Sequence, residues 1–136
     1  MGQVRVEVVL RNAREVVLAR LGHLPAAQVH TTTVDALIDT GTMRSVLPPF
    51  IAEQLGLLRL TRTATQMADG RWGEAEVTEP FYVELLGRQA VAEALVMGAH
   101  VLLGATVLEG VDLVVDCPRQ RLIPNVGTWA QPVFRV

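Results

Sequence analysis

The sequence predicts a mostly-β domain with one or two short helices. Three observations predict it: valine- and threonine-rich runs that alternate with polar residues, turn signals at close spacing between those runs, and helix start and stop signals confined to short stretches. Short strands joined this closely indicate a barrel or a sandwich. The 136 residues suffice for one ordinary core, and no linker, repeat or low-complexity segment divides them, so residues 1–136 read as a single domain.

Val4, Val6 and Val8 alternate with Arg5 and Glu7, the period of a half-buried strand. Asn12-Ala13 sits at a natural turn, and Glu15 to Leu21 is read as the returning strand of a hairpin. Gly22 and Pro25 break the pattern. Gln28 to Ile38, rich in β-branched residues, is the next strand and runs straight into Asp39. Pro48-Pro49 suits a helix start, and Gly56 its end.

Leu60 to Ala68 and Arg71 to Val83 flank Asp69-Gly70, a pair that favours a type I′ hairpin turn; Pro80 suggests an edge or a bulge. Leu85 to Arg88 reads as a turn and Ala90 to Met97 as a strand. The closing segment gives a strand to Leu103, Gly104, a helical turn over Thr106 to Glu109, a strand over Val111 to Asp116, and a turn at Pro118 to Gln120 before Leu122-Ile123-Pro124. The apolar tail over 126–136 reads as a strand in need of a partner.

A net charge of -2, with charges dispersed, provides no footprint for nucleic acid or an anionic membrane. All twelve basic residues are Arg, a compositional bias rather than a site. The lone Cys117 excludes an intrachain disulfide and a cysteine metal cluster, and His23, His30 and His100 lack ligand spacing, so no metal or cofactor is expected. The amino terminus alternates charge with valine, unlike a secretory signal, and no apolar run reaches spanning length. The expectation is a soluble protein of the cytoplasm.

Chemistry concentrates in Asp35 to Pro49, "DALIDTGTMRSVLPP". Asp-Thr-Gly alone is a weak signal, because Asp and Gly belong in turns. Here Ala36-Leu37-Ile38 carries Asp39 to the end of a core strand, where a carboxylate is costly unless hydrogen-bonded or paired. Thr40 and Thr42 place hydroxyls beside it, and Gly41 permits a sharp turn.

With "MADGRWGEAEV" and "VLLGATVLEGVDLVVDCPRQRLIP" following in order, the chain resembles the retropepsin-like aspartic proteases, especially single-domain bacterial members, over roughly Val4 to Pro124. The resemblance implies a closed single-lobe acid-protease barrel, Asp39 as catalytic residue, and Thr40, Gly41 and Thr42 as its supporting loop. It makes residues 66–74 a flap, with Met67, Ala68, Asp69, Gly70 and Trp72 over the substrate, and Gly104 the glycine of the closing segment. Thr42 stands where members often carry Ala or Ser, and Ala105 where retroviral relatives carry a charge.

Aspartic proteolysis needs two carboxylates that share a proton, and this chain has one Asp-Thr-Gly. A protease therefore has to be a homodimer that contributes Asp39 twice, acting on a peptide or protein. The resemblance places the 126–136 tail in the interface, the alternative being a strand folded back on its own protomer, and Thr40 across the axis. A Thr42 hydroxyl donating to Asp39 would favour an acidic optimum, to be moved upward by Thr42→Ala. The other readings are an inactive dimerisation or peptide-binding module on the same fold, and an unrelated β-barrel that merely contains the tripeptide.

Overall fold

Val4, Val8 and Leu10 turn inward from the first strand, β1 (Val4–Asn12), and this buried row seeds the core. The computed structural model describes residues 4–67 and 69–125. β1 lies between β2 (Thr31–Ile38) and β6 (Phe81–Leu85), antiparallel to both. Phe81, Leu10, Leu47, Leu55, Leu85 and Leu103 are the largest wholly buried apolar side chains.

The returning strand expected at Glu15 to Leu21 is instead the helix α1 (Ala13–Arg20). Asn12 caps it by accepting the Glu15 N–H at 3.0 Å. Gly22, at φ +82°, ends it: its N–H reaches Ala19 O and the His23 N–H reaches Leu18 O, a paired C-terminal closure. Good helix formers between those signals outweigh the two valines.

Buried Asn12 also donates through Nδ2 to Leu55 O at 2.8 Å and Gly56 O at 3.3 Å, which ties α1 to the end of α2 (Pro49–Gln54). Alongside, Arg14 forks onto the buried Glu79 carboxylate at 3.0 and 3.2 Å, and Glu79 accepts the Leu58 N–H at 2.7 Å. The Glu79 carboxylate, chiefly through these hydrogen bonds, holds the Arg14 guanidinium above its ordinary value.

Glu15 in turn accepts the His30 N–H at 2.9 Å and the His30 ring Nδ1 at 2.8 Å. Burial alone would raise its carboxyl, but the His30 hydrogen bonds and charge outweigh burial and hold it below the usual value. A depressed carboxyl contributes stability above the unfolded value of about 4.3 and loses it as pH falls through the folded value. Glu15→Gln is expected to lower stability by about 1–2 kcal/mol at neutral pH and to flatten the acid limb of a stability–pH curve below about pH 5. An unchanged acid limb in urea titrations would contradict this.

Nine strands form one sheet in the order β4-β5-β8-β3-β9-β2-β1-β6-β7, and β10 (Leu113–Asp116) and β11 (Arg121–Pro124) form a separate hairpin. The other members are β3 (Ser45–Leu47), β4 (Arg59–Gln66), β5 (Trp72–Thr78), β7 (Arg88–Ala92), β8 (Ala94–Val96) and β9 (Val101–Leu103). β2 with β9 and β3 with β8 are parallel; the remaining pairs are antiparallel.

Arg71 to Val83 and Ala90 to Met97, each expected as one strand, are each two. Pro80 has no N–H for the ladder and sits at the first break. The second falls at Glu93, alone between β7, which pairs with β6, and β8, which pairs with β3 and β5. One linking residue keeps the ends of β7 and β8 within about 7.6 Å, so the sheet is rolled. Its ladder nonetheless stays open: among the described residues β4 and β7 are edges, and the closed barrel expected from sequence is not formed by hydrogen bonding.

The Leu85–Arg88 turn is as expected, with Leu86 and Gly87 both at positive φ. At the other hairpin only Gly70 of the Asp69-Gly70 pair is at positive φ. Met67 N–H bonds Arg71 O at 2.7 Å and Gly70 N–H bonds Met67 O at 2.9 Å, which closes a three-residue loop rather than the two-residue type I′ turn.

Candidate active-site loop

At the end of β2 the chain leaves the sheet as Asp39-Thr40-Gly41-Thr42 and returns to it at β3. The Asp39 N–H donates to Leu103 O at 3.0 Å, at the end of parallel β9. On the far side of the loop the Ala105 N–H donates to Thr42 O at 2.8 Å. The loop is therefore clamped between β9 and α3 (Ala105–Val111) at both of its ends.

Gly104 is the contact point. A Cβ there would lie 2.7 Å from Met43 O and 2.8 Å from Arg44 O, both backbone atoms. Its N–H donates to the buried Ser45 Oγ at 3.2 Å, and Thr106 Oγ1 donates to Met43 O at 2.9 Å. Ser45 and Thr106 were not singled out from the sequence. A serine inside the apolar run "SVLPP" was the one available signal, since a buried hydroxyl needs a partner.

The carboxylate accepts the Gly41 N–H through Oδ1 at 2.9 Å. A Cβ on Gly41 would stand 3.1 Å from that oxygen, so glycine leaves room for the carboxylate to fold back. Asp39 is exposed, not buried as its approach along a core strand suggested. The Thr42 hydroxyl also departs from expectation. It donates to Arg44 O at 3.4 Å and gives Asp39 no hydrogen bond, so the basis for a Thr42-dependent pH optimum is absent in the protomer. Thr40, also exposed, borders a hollow of about 360 Å³ with Ala105, Glu109 and Val114.

Asp39, Gly41, Thr42 and Gly104 are thus brought together. Met67, Asp69, Gly70 and Trp72 gather separately at the end of the β4–β5 hairpin. Among the described residues that hairpin pairs with β8 through Glu76 and Val77, so Gln66 and Trp72 lie beyond the shared ladder. Asp69 is engaged within the turn, accepting Arg71 N–H at 3.0 Å and Arg71 Nε at 2.8 Å. Trp72 is 71% exposed, which speaks against the packing role. No described hydrogen bond joins this hairpin end to the Asp39 loop. Ala68 and the 126–136 tail lie outside the described residues.

Among the described residues no group of three or more His, Cys, Asp or Glu could hold a metal ion, and no helix is long and apolar enough to cross a membrane. Cys117 is a free, exposed thiol. Comparison with protein-family models and with curated proteins returned no match for the chain.

Proposed function

We propose that the chain is an aspartic endopeptidase that acts as a homodimer, with a retropepsin-like arrangement of each protomer. The observation that carries this reading is the clamped loop: an exposed Asp39 at a strand end, braced on both sides by the β9–Gly104–α3 segment. Exposure is what a shared site requires of one half, because the second carboxylate must approach across a two-fold axis.

Two Asp39 carboxylates held about 3 Å apart share one proton. The ionised one takes a proton from water as its oxygen attacks the peptide carbonyl carbon, and the protonated one donates a hydrogen bond to the carbonyl oxygen. Proton transfer to the nitrogen then lets the C–N bond break, releasing acid and amine. The β4–β5 hairpin is assigned the lid and Trp72 its apolar wall. The 126–136 tail and Thr40 are assigned to the dimer contact, and a reducing, cytoplasmic setting suits the single free thiol.

Purified protein incubated with a peptide library at acidic and neutral pH is expected to cleave, and Asp39→Asn to lower the rate by about 10³-fold or more without lowering the melting temperature. Cleavage that survives the substitution sinks the proposal. The turn of the Thr42 hydroxyl toward Arg44 O favours a second reading, an inactive peptide-binding module that keeps the loop for its geometry. Peptide binding by the wild type with no cleavage at either pH would select it.

A further inference from the structure

Beside α1 the surface holds a hollow of about 360 Å³. Gly22 turns the chain back after the helix, and the 3-10 turn Ala26–Gln28 leads it to the start of β2. Val16 and Ala19 border the hollow from α1, and Ala26 and Val29 from the returning chain. The two alanines contribute a methyl group each, too little to fill the space between helix and return. Thr31 opens β2 and Asp39 follows its last residue, eight positions later and roughly 25 Å away. The hollow is therefore remote from the candidate active-site loop.

Arg11 and Arg20 border it as well, with no acid among the bordering residues. In two other hollows the arginine is matched by an acid, Arg44 with Glu93 and Arg14 with Glu79. Arg11 gives one donor, Nη1, to Glu84 at 3.1 Å, and its other donors have no described partner. Arg20 is exposed, and among the described residues its side chain has no hydrogen bond or ion pair. In the last turn of α1 it favours the negative end of the helix dipole. That role uses its charge but none of its five N–H donors.

We propose that this hollow binds a small aliphatic carboxylic acid, its carboxylate taken by Arg20 with Arg11 as the second cation, and its hydrocarbon body seated on Val16, Ala19, Ala26 and Val29. Charge and lining each select one half of that ligand. A guanidinium fork matches a carboxylate in plane. The bordering residues of α1 lie in its second half, away from the N-terminal N–H groups that hold phosphate, and a phosphate would leave the apolar border unused. The volume is at the small end for ligand sites, about the space of twelve waters, which admits an acid of about six carbons. The site does not rest on the peptidase reading.

The test is titration of the full chain with hexanoate at neutral pH, followed by backbone amide NMR shifts. Saturable shifts centred on residues 16–31 are expected, with a Kd on the order of 1 mM. Butanoate, shorter by two methylenes, is expected to bind about ten-fold more weakly. Arg20→Gln removes no described contact, so it leaves the fold intact, and is expected to weaken hexanoate about five-fold. Ala19→Phe, which fills the hollow and keeps both cations, is expected to abolish the shifts. No saturable shift with hexanoate overturns the proposal, as does hexanol or inorganic phosphate binding as tightly as hexanoate. Affinity indifferent to both substitutions, or shifts confined to other parts of the chain, overturns it equally.

Discussion

Gly104→Ala is expected to be the most damaging single-methyl change in the described chain. The added carbon would press on Met43 O and Arg44 O at 2.7 and 2.8 Å, and neither can retreat freely. Met43 O is held by Thr106 Oγ1, and Arg44 O accepts the Thr42 hydroxyl. The loop or α3 must shift, breaking the Ala105–Thr42 or Asp39–Leu103 hydrogen bond. Overpacking of this kind costs about 1–3 kcal/mol, or roughly 4–10 °C in melting temperature for a domain of this size. Gly73→Ala is the control: its Cβ would meet only the mobile Cε of Met67, at 2.8 Å. Thermal unfolding followed by circular dichroism checks both. Equal melting temperatures for the two variants would refute the clamp.

Asn12→Ala is expected to cost about 2–4 kcal/mol, combining a lost helix cap with a buried carbonyl left without its donor. The side chain is wholly buried and serves three backbone groups at once: Glu15 N–H, Leu55 O and Gly56 O. Asn12→Asp separates the two contributions. It preserves the cap but turns an anion toward two carbonyl oxygens, so it is expected to be as harmful as Ala despite the better capping chemistry. Urea unfolding gives both values, and a loss under about 0.5 kcal/mol for either variant would count against the knot.

What could be read from sequence follows the range of the interaction. β1, the helix start at Pro48-Pro49 and the Leu85–Arg88 turn rest on neighbours in the chain, and each is where periodicity and turn chemistry put it, while β2 starts at Thr31 rather than Gln28, which lies in a 3-10 turn over Ala26–Gln28. The helix α1 is equally local, but its decisive signals are Asn12, Glu15 and Gly22 at its ends rather than the strand-like valines within it. The parallel pairing of β2 with β9 leaves no mark in either segment, because register there is set by packing between distant residues. For the same reason the sequence supplied Asp39, Gly41 and Gly104 as candidates without the clamp that joins them. Direction of a hydroxyl is less legible still. Thr42 lies one residue beyond the turn glycine whether it serves the carboxylate or, as here, Arg44 O.

The bracing of the Asp39 loop also sets a clock. The residues that fix it come from far along the chain: 59 positions separate Ser45 from Gly104, and 63 separate Met43 from Thr106. At a synthesis rate of about 5–20 residues per second, the loop leaves the ribosome roughly 3–12 s before its brace. Contacts this distant also form late after release, since their loop-closure entropy must be met first. The nascent chain therefore carries the acid without its geometry, and the half-site comes into being only once the closing segment has been made and has docked.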